Sequence, residues 1–142
     1  MTWLDPTSTR DNLSWHVSRR VPVAPADATR ALGEAIRAGA LTQAMGSALA
    51  VEGVCHVRTG EVRGLVGRLR LGRRFRSARV EIEVEPWSHS ESALGLRPVR
   101  RPPRVQSDRY FASAVALLAA LEACLLEHVA IGPEMLEMKR AS

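Results

Sequence analysis

Glu122 is the residue whose type and position point most directly to chemistry, because it stands inside an otherwise apolar helical stripe. On a helical wheel at about 100° per residue it falls between Phe111 and Val115. An unpaired carboxylate in a protein interior is strongly destabilising, so this position requires a partner. Strand alternation places Arg19 on the same apolar side, and a guanidinium can satisfy a carboxylate with two parallel hydrogen bonds. The sequence therefore predicts a buried Arg19–Glu122 pair.

Two interpretations of this pair are open. It is either a structural ion pair or the polar anchor of a ligand that is otherwise held by apolar side chains. The second interpretation makes Arg19 and Glu122 part of a ligand-binding set. Its apolar members are Trp15, Leu94, Leu96, Phe111, Leu118 and Leu121.

Arginine dominates the basic residues of this chain. Lys and Arg together number 20 against 15 acidic residues, which gives a formal charge of +5, and all but one of the basic residues are arginine. Residues 58–79 alone carry 8 − 1 = +7. Such a patch suits an acidic protein or nucleic acid, although an acidic run on a neighbouring strand, Glu81, Glu83 and Glu85, offers partial neutralisation. The predicted basic surface consists of Arg68, Arg70, Arg73, Arg74 and Arg76.

Other reactive groups give weaker signals. His56 follows Glu52 by four residues, on the same face of a predicted strand, so an acid/base role is open for it as it is for Glu122. No two histidines have metal-ligand spacing, and no serine has a GxSxG context. We therefore expect no metal and no cofactor, and we assign no catalytic residue. Cys55 and Cys124 lack CxxC spacing and are expected to be buried thiols in the cytosol.

The elements that must position these residues can be read from hydrophobic periodicity. Alternation over 13–23 predicts a strand, and the following periods predict helices over 25–38 and 40–50. Four strands are predicted over 52–58, 62–71, 75–85 and 91–99, with Gly64 and Gly67 marking a bulge or bend. A long helix is predicted over 107–129, with Ser107 as its N-cap. This order predicts an α+β, helix-grip-like fold: an antiparallel curved sheet of about five strands packed on a long C-terminal helix, with two short helices after the first strand.

Residues 21–32 (VPVAPADATRAL) look like the opening strand-to-helix junction of the START-like (SRPBCC) superfamily, which includes polyketide cyclases and plant allergen-like proteins. Residues 80–88 (VEIEVEPWS) and 94–98 (LGLRP) are similar to uncharacterised actinobacterial proteins of that superfamily. The resemblance spans 13–129 and implies an apolar small molecule bound between the sheet and the last helix. The chain departs from the family in having five predicted strands instead of six or seven, which reduces the room for a cavity.

The predicted organisation is a leader over 1–12, one domain over 13–131 and a tail over 132–142. The chain is 46% apolar, yet its longest apolar stretch, 112–126, is shorter than the roughly 20 residues of a membrane span. Its first residues also lack the pattern of a signal peptide, so we expect a cytosolic location and no membrane.

The leading expectation is a non-enzymatic binding module for a small apolar ligand. Alternatives are an interaction protein that uses the arginine surface, and a cyclase- or dehydratase-like enzyme. An open sheet edge would favour a homodimer.

Overall fold

The computed structural model describes residues 15–56 and 62–130. A five-stranded antiparallel sheet has the strand order β1-β5-β4-β3-β2. The first strand of the chain therefore pairs with the last one, and β1 and β2 form the two edges. The strands are β1 (Val17–Val21), β2 (Leu49–His56), β3 (Val62–Leu69), β4 (Ala78–Pro86) and β5 (Ser92–Pro98).

Three α-helices cover one face of this sheet. They are α1 (Pro25–Arg37), α2 (Ala40–Met45) and α3 (Ser107–Ala130). This is the predicted helix-grip architecture: a five-stranded antiparallel sheet, two helices after the first strand and one long C-terminal helix. The predicted leader and tail lie outside the described residues.

The core forms where the inward side of the sheet meets α1 and α3. In β4 the side chains of Val80, Ile82 and Val84 are buried and alternate with more exposed neighbours, as predicted. Ile82 lies opposite Leu65 on one side and Leu96 on the other, so one apolar row crosses three strands. Burial of such a row is the main favourable contribution to folding.

Glycine and a bulge shape the edge formed by β2 and β3. The pairing register shifts between Val51 and Gly53, which leaves Glu52 as the extra residue in β2. Gly64 lies beside the second register shift, and a Cβ atom there would come within 2.3 Å of the Ile82 carbonyl oxygen. The predicted irregularity is therefore present, and Gly64 is required by the close approach of β4.

Several predicted strands have other limits in the structure: β1 ends at Val21, β2 begins at Leu49, β3 ends at Leu69 and β4 begins at Ala78. Two further differences, at the helices, have a backbone cause. The second helix ends at Met45, not residue 50, because Gly46 takes a positive φ of 56° and the chain enters β2 at Leu49. Ser107 is not an N-cap, because its backbone is already helical (φ −57°, ψ −44°). A 3₁₀ turn over Arg104–Gln106 precedes it, so the chain begins to wind after Pro103.

By length and composition alone, the α3 helix is long and apolar enough to cross a membrane. Its inward residues, including Tyr110, Leu118, Leu121 and Leu125, are nevertheless at most 1% exposed and belong to the core. The burial of this stripe explains the high mean hydropathy, so α3 is the core helix of the domain.

Candidate functional site

The predicted partner of Glu122 is the observed one. The Arg19 Nε donates a hydrogen bond to Glu122 Oε2 across the space between β1 and α3. The predicted burial is wrong, however, because the Arg19 side chain is 42% exposed and that of Glu122 is 18% exposed. β1 is an edge strand, so the arginine stem covers the rim of the core while its charged head reaches solvent.

The apolar residues of the predicted ligand-binding set come together as packed core. Leu94, Leu96, Leu118 and Leu121 are at most 1% exposed and belong to one hydrophobic cluster. Trp15 is also buried and stacks on Phe111 with ring centroids 5.6 Å apart. Neither of the two grooves described next is lined by any of the eight residues of this set.

An apolar groove, here called the α2–α3 groove, opens between the second and third helices. Its volume is about 270 Å³. Most of the lining side chains are small and leave the space unfilled, and the polar groups in the wall are a serine hydroxyl and a guanidinium. The lining residues are Ala44, Met45, Ala48, Arg70, Ser113, Ala116, Leu117 and Ala120.

A second groove, here called the arginine groove, lies under the loop that joins β3 to β4. Its volume is about 400 Å³, and its lining residues are Ser47, Ala50, Arg68, Arg70, Gly72, Arg73, Phe75 and Ser77. Three of the five predicted basic-surface residues thus line one groove, while Arg74 and Arg76 stand in the same loop. Phe75 packs against the core and anchors the loop, and Gly72 provides the positive φ of 140° that the turn requires.

Ion pairs neutralise some arginines and not others. Glu52, at the bulge, lies 3.5 Å from Arg68 Nε and 3.3 Å from Arg79 Nε. The acidic run on β4 does not neutralise this patch as expected: Glu81 and Glu83 instead bind Arg97 on β5. The cross-strand register explains the difference, because Glu81 lies directly opposite Arg97.

Four arginines at the β3–β4 loop keep their charge without compensation. Within residues 15–56 and 62–130, no ion-pair partner is found for the side chains of Arg70, Arg73, Arg74 or Arg76. The arginine groove is therefore an electropositive end of the domain that solvent can reach.

The remaining reactive groups do not assemble into a recognisable catalytic centre in the part of the chain that the structure describes. No cluster of three metal-ligating side chains occurs there. The side chain of His56 lies outside the description, so its acid/base role stays a prediction. His16 lies 3.6 Å from Glu85, a half-exposed contact that the sequence reasoning missed. Cys124 is buried, which raises the pKa of its thiol, whereas Cys55 is only half-buried.

The residues of the α2–α3 groove were also missed. The available signal is a run of small residues on α3, with Ala116 and Ala120 one turn apart and Ser113 one turn before them. Such a run indicates that a neighbouring helix approaches closely, but it does not tell how much of the face that helix covers.

Comparison with known proteins gives a likeness of fold. No family model and no curated protein matches this chain. Among solved structures, a START superfamily protein from Mycobacterium smegmatis is 11% identical over 79% of this chain and 96% of that chain, with a TM-score of 0.44. Norcoclaurine synthase from Thalictrum flavum, solved in complex with dopamine and hydroxybenzaldehyde, is 13% identical over 90% and 97%, with a TM-score of 0.45.

The Zhui aromatase/cyclase from Streptomyces sp. R1128 is 12% identical over 82% of this chain and 93% of that chain, with a TM-score of 0.41. The element order and sheet topology described above are those of a helix-grip fold. At these identities the likeness concerns the fold alone, and function must be argued from the site.

Proposed function

We propose that this protein is a non-enzymatic binding module that holds a small apolar molecule against α3, in the α2–α3 groove. The observation that carries the proposal is the composition of the groove wall: six apolar side chains with one hydroxyl and one guanidinium. Apolar walls with few polar groups are the usual form of a small-molecule site. The volume of about 270 Å³ lies just below the typical range of roughly 300–1,000 Å³, so the ligand is small.

This site differs from the one expected beside Glu122. There, Leu94, Leu118 and Leu121 are at most 1% exposed and already pack in the core. A ligand in that place would have to displace packed side chains, whereas the α2–α3 groove is open. Glu122 and Arg19 are hydrogen-bonded to each other, which supports a structural role for this pair.

The same proposal includes a cytosolic location, where free thiols such as Cys55 and Cys124 stay reduced.

The test fills the groove and measures binding of a neutral apolar dye. N-phenyl-1-naphthylamine is expected to brighten saturably with the wild-type protein. Ala116→Trp places an indole in the groove and is expected to lower the affinity at least about tenfold, because the dye loses most of its apolar contact area.

Val115→Trp is the matched control for this variant. Val115 is 54% exposed on the neighbouring helical position and does not line the groove. We expect it to bind the dye like the wild type, with both variants checked for native circular dichroism. Unchanged dye binding in Ala116→Trp, or no saturable signal with the wild type, contradicts the proposal.

A second candidate function is favoured by a separate observation. The arginine groove and the loop above it carry four guanidinium groups without an ion-pair partner in the described residues. This arrangement supports binding of an acidic protein or nucleic acid, because phosphate and carboxylate groups pair well with arginine.

A further inference from the structure

Arg70 lines both grooves, and this shared wall connects an apolar site with an electropositive one. We propose that the two grooves form a single site for a single-chain alkyl carboxylate. Its tail lies in the α2–α3 groove and its carboxylate binds the guanidinium groups of Arg70 and Arg73. This inference rests on the proposed function, since it specifies the chemistry of the same ligand.

The wall formed by α3 runs from one groove toward the other. Ser113, Ala116 and Ala120 line the apolar groove, and Arg109 precedes Ser113 by one helical turn on the same face. The Arg109 guanidinium lies 5.4 Å from the ring centroid of Phe75, which lines the arginine groove. α3 therefore contacts the β3–β4 loop beyond the apolar groove, at the arginine-rich end.

The arginines that lack an ion-pair partner indicate where the carboxylate of the ligand binds. Arg68 is already engaged by Glu52, whereas Arg70 and Arg73 have no ion-pair partner in the segments that the structure describes. Arginine binds a carboxylate through two parallel hydrogen bonds, which are stronger than hydrogen bonds between neutral groups. An anionic head group therefore finds unsatisfied donors where the apolar groove ends.

The size of the apolar groove limits the tail to one short chain. A volume of about 270 Å³ is too small for most drug-sized ligands, and lipids with two long acyl chains are larger still. We therefore choose octanoate as the probe and octan-1-ol as its neutral counterpart of equal chain length. Both are tested by displacement of N-phenyl-1-naphthylamine from the full-length protein.

Octanoate is expected to displace the dye at a concentration about tenfold lower than octan-1-ol, because a charge-assisted hydrogen bond adds to the same apolar contact. Arg70→Met keeps most of the apolar stem and removes the charge, so it should abolish the octanoate advantage, measured as the ratio of the octan-1-ol to the octanoate displacement concentration. Arg73→Met is a second variant with the same expected direction. Arg63→Met is the matched control, since Arg63 is exposed on β3, lines neither groove and should keep the advantage.

The outcomes separate this inference from the proposed function. Equal displacement by octanoate and octan-1-ol overturns the head-group assignment while the apolar site stands. Loss of the octanoate advantage in Arg63→Met to the same extent as in the Arg70 and Arg73 variants overturns it too, because the effect is then one of net charge. Failure of the wild type to bind the dye at all overturns the proposed function itself.

Discussion

Tyr110 is a useful spectroscopic probe of whether the core is folded, because it is the only tyrosine of the chain. Its side chain is fully buried and its hydroxyl donates a 2.7 Å hydrogen bond to the Trp15 carbonyl oxygen. The rings of Trp15 and Phe111 contact it edge to face at 5.0 and 5.2 Å. Burial raises the pKa of the Tyr110 phenol well above its ordinary value, because the phenolate would lose its hydration.

The raised pKa sets the sign of a pH dependence. The fold favours the neutral phenol, so this contribution to stability is complete below the unfolded pKa of about 10 and is lost as the pH rises toward the folded value. We expect tyrosinate absorbance to appear only together with loss of native circular dichroism. Tyrosinate that forms near pH 10 in a folded protein would contradict the buried position of Tyr110.

Tyr110→Phe checks the hydrogen bond separately. It removes the titrating group and leaves the Trp15 carbonyl without its donor, so the free energy of unfolding should fall by about 1–2 kcal/mol. Urea denaturation near neutral pH measures this change. A variant as stable as the wild type would show that the hydrogen bond makes no net contribution.

For individual residues, the sequence predicts contacts between side chains better than it predicts the solvent exposure of those side chains. Alternation and the helical wheel suffice to predict the Arg19–Glu122 contact, since each places its residue on the inward side. The exposure of Arg19 depends on β1 being an edge strand, and that follows from the pairing of β1 with β5. Strand order is a property of the tertiary fold and is absent from the local pattern.

At the scale of elements, the close approach of β3 and β4 is the feature that a single substitution can test. A Cβ atom at Gly64 would lie 2.3 Å from the Ile82 carbonyl oxygen, which belongs to the backbone of β4 and cannot swing aside. We expect Gly64→Ala to lower the free energy of unfolding by about 1–3 kcal/mol, as overpacking in a core does. Urea denaturation measures the change.

Gly53→Ala on the neighbouring strand is the control for this prediction. A Cβ atom at Gly53 meets nothing within 4 Å, so alanine is expected to leave stability unchanged or raise it by about 0.4–1 kcal/mol through a less flexible unfolded chain. Equal destabilisation by the two substitutions would mean that loss of glycine itself matters, and not the contact between β3 and β4.

The elements follow from local pattern wherever that pattern is strong. Alternation in β4 and the long apolar stripe of α3 identify both elements and their inward faces. The sequence predicts the short α2 helix too long, because Ala48, Leu49 and Ala50 continue the helical pattern past Met45 while Gly46 ends the helix. The α2–α3 groove could not be predicted, since it depends on where this short helix ends relative to α3.

At the scale of the whole molecule, the charge is distributed so that one end stays unneutralised. Three acidic side chains near this end are engaged by other arginines: Glu52 by Arg68 and Arg79, and Glu81 and Glu83 by Arg97. The sequence could predict an excess of +5 and its concentration near residues 58–79. It could not predict which arginines keep free guanidinium groups, because the cross-strand register decides which carboxylate reaches which arginine.

Two double variants of equal net charge can show whether the position of these arginines, and not only the net charge, determines binding of a polyanion. Arg73→Glu/Arg74→Glu reverses two charges in the β3–β4 loop, and Arg63→Glu/Arg100→Glu reverses two exposed charges that line neither groove. Both double variants change the net charge by the same amount. If the loop binds a polyanion, the first variant should weaken binding of a labelled DNA duplex more than the second.

The salt dependence gives the magnitude of this effect. Each arginine that contacts a phosphate contributes about 0.9 to the slope of log affinity against log salt, so the loop variant should reduce that slope by almost two units. The control variant should leave the slope near that of the wild type, because its arginines would attract the duplex only from a distance and salt screens such attraction. Equal losses in the two variants would show that the duplex responds to net charge alone, which contradicts a polyanion site at the β3–β4 loop.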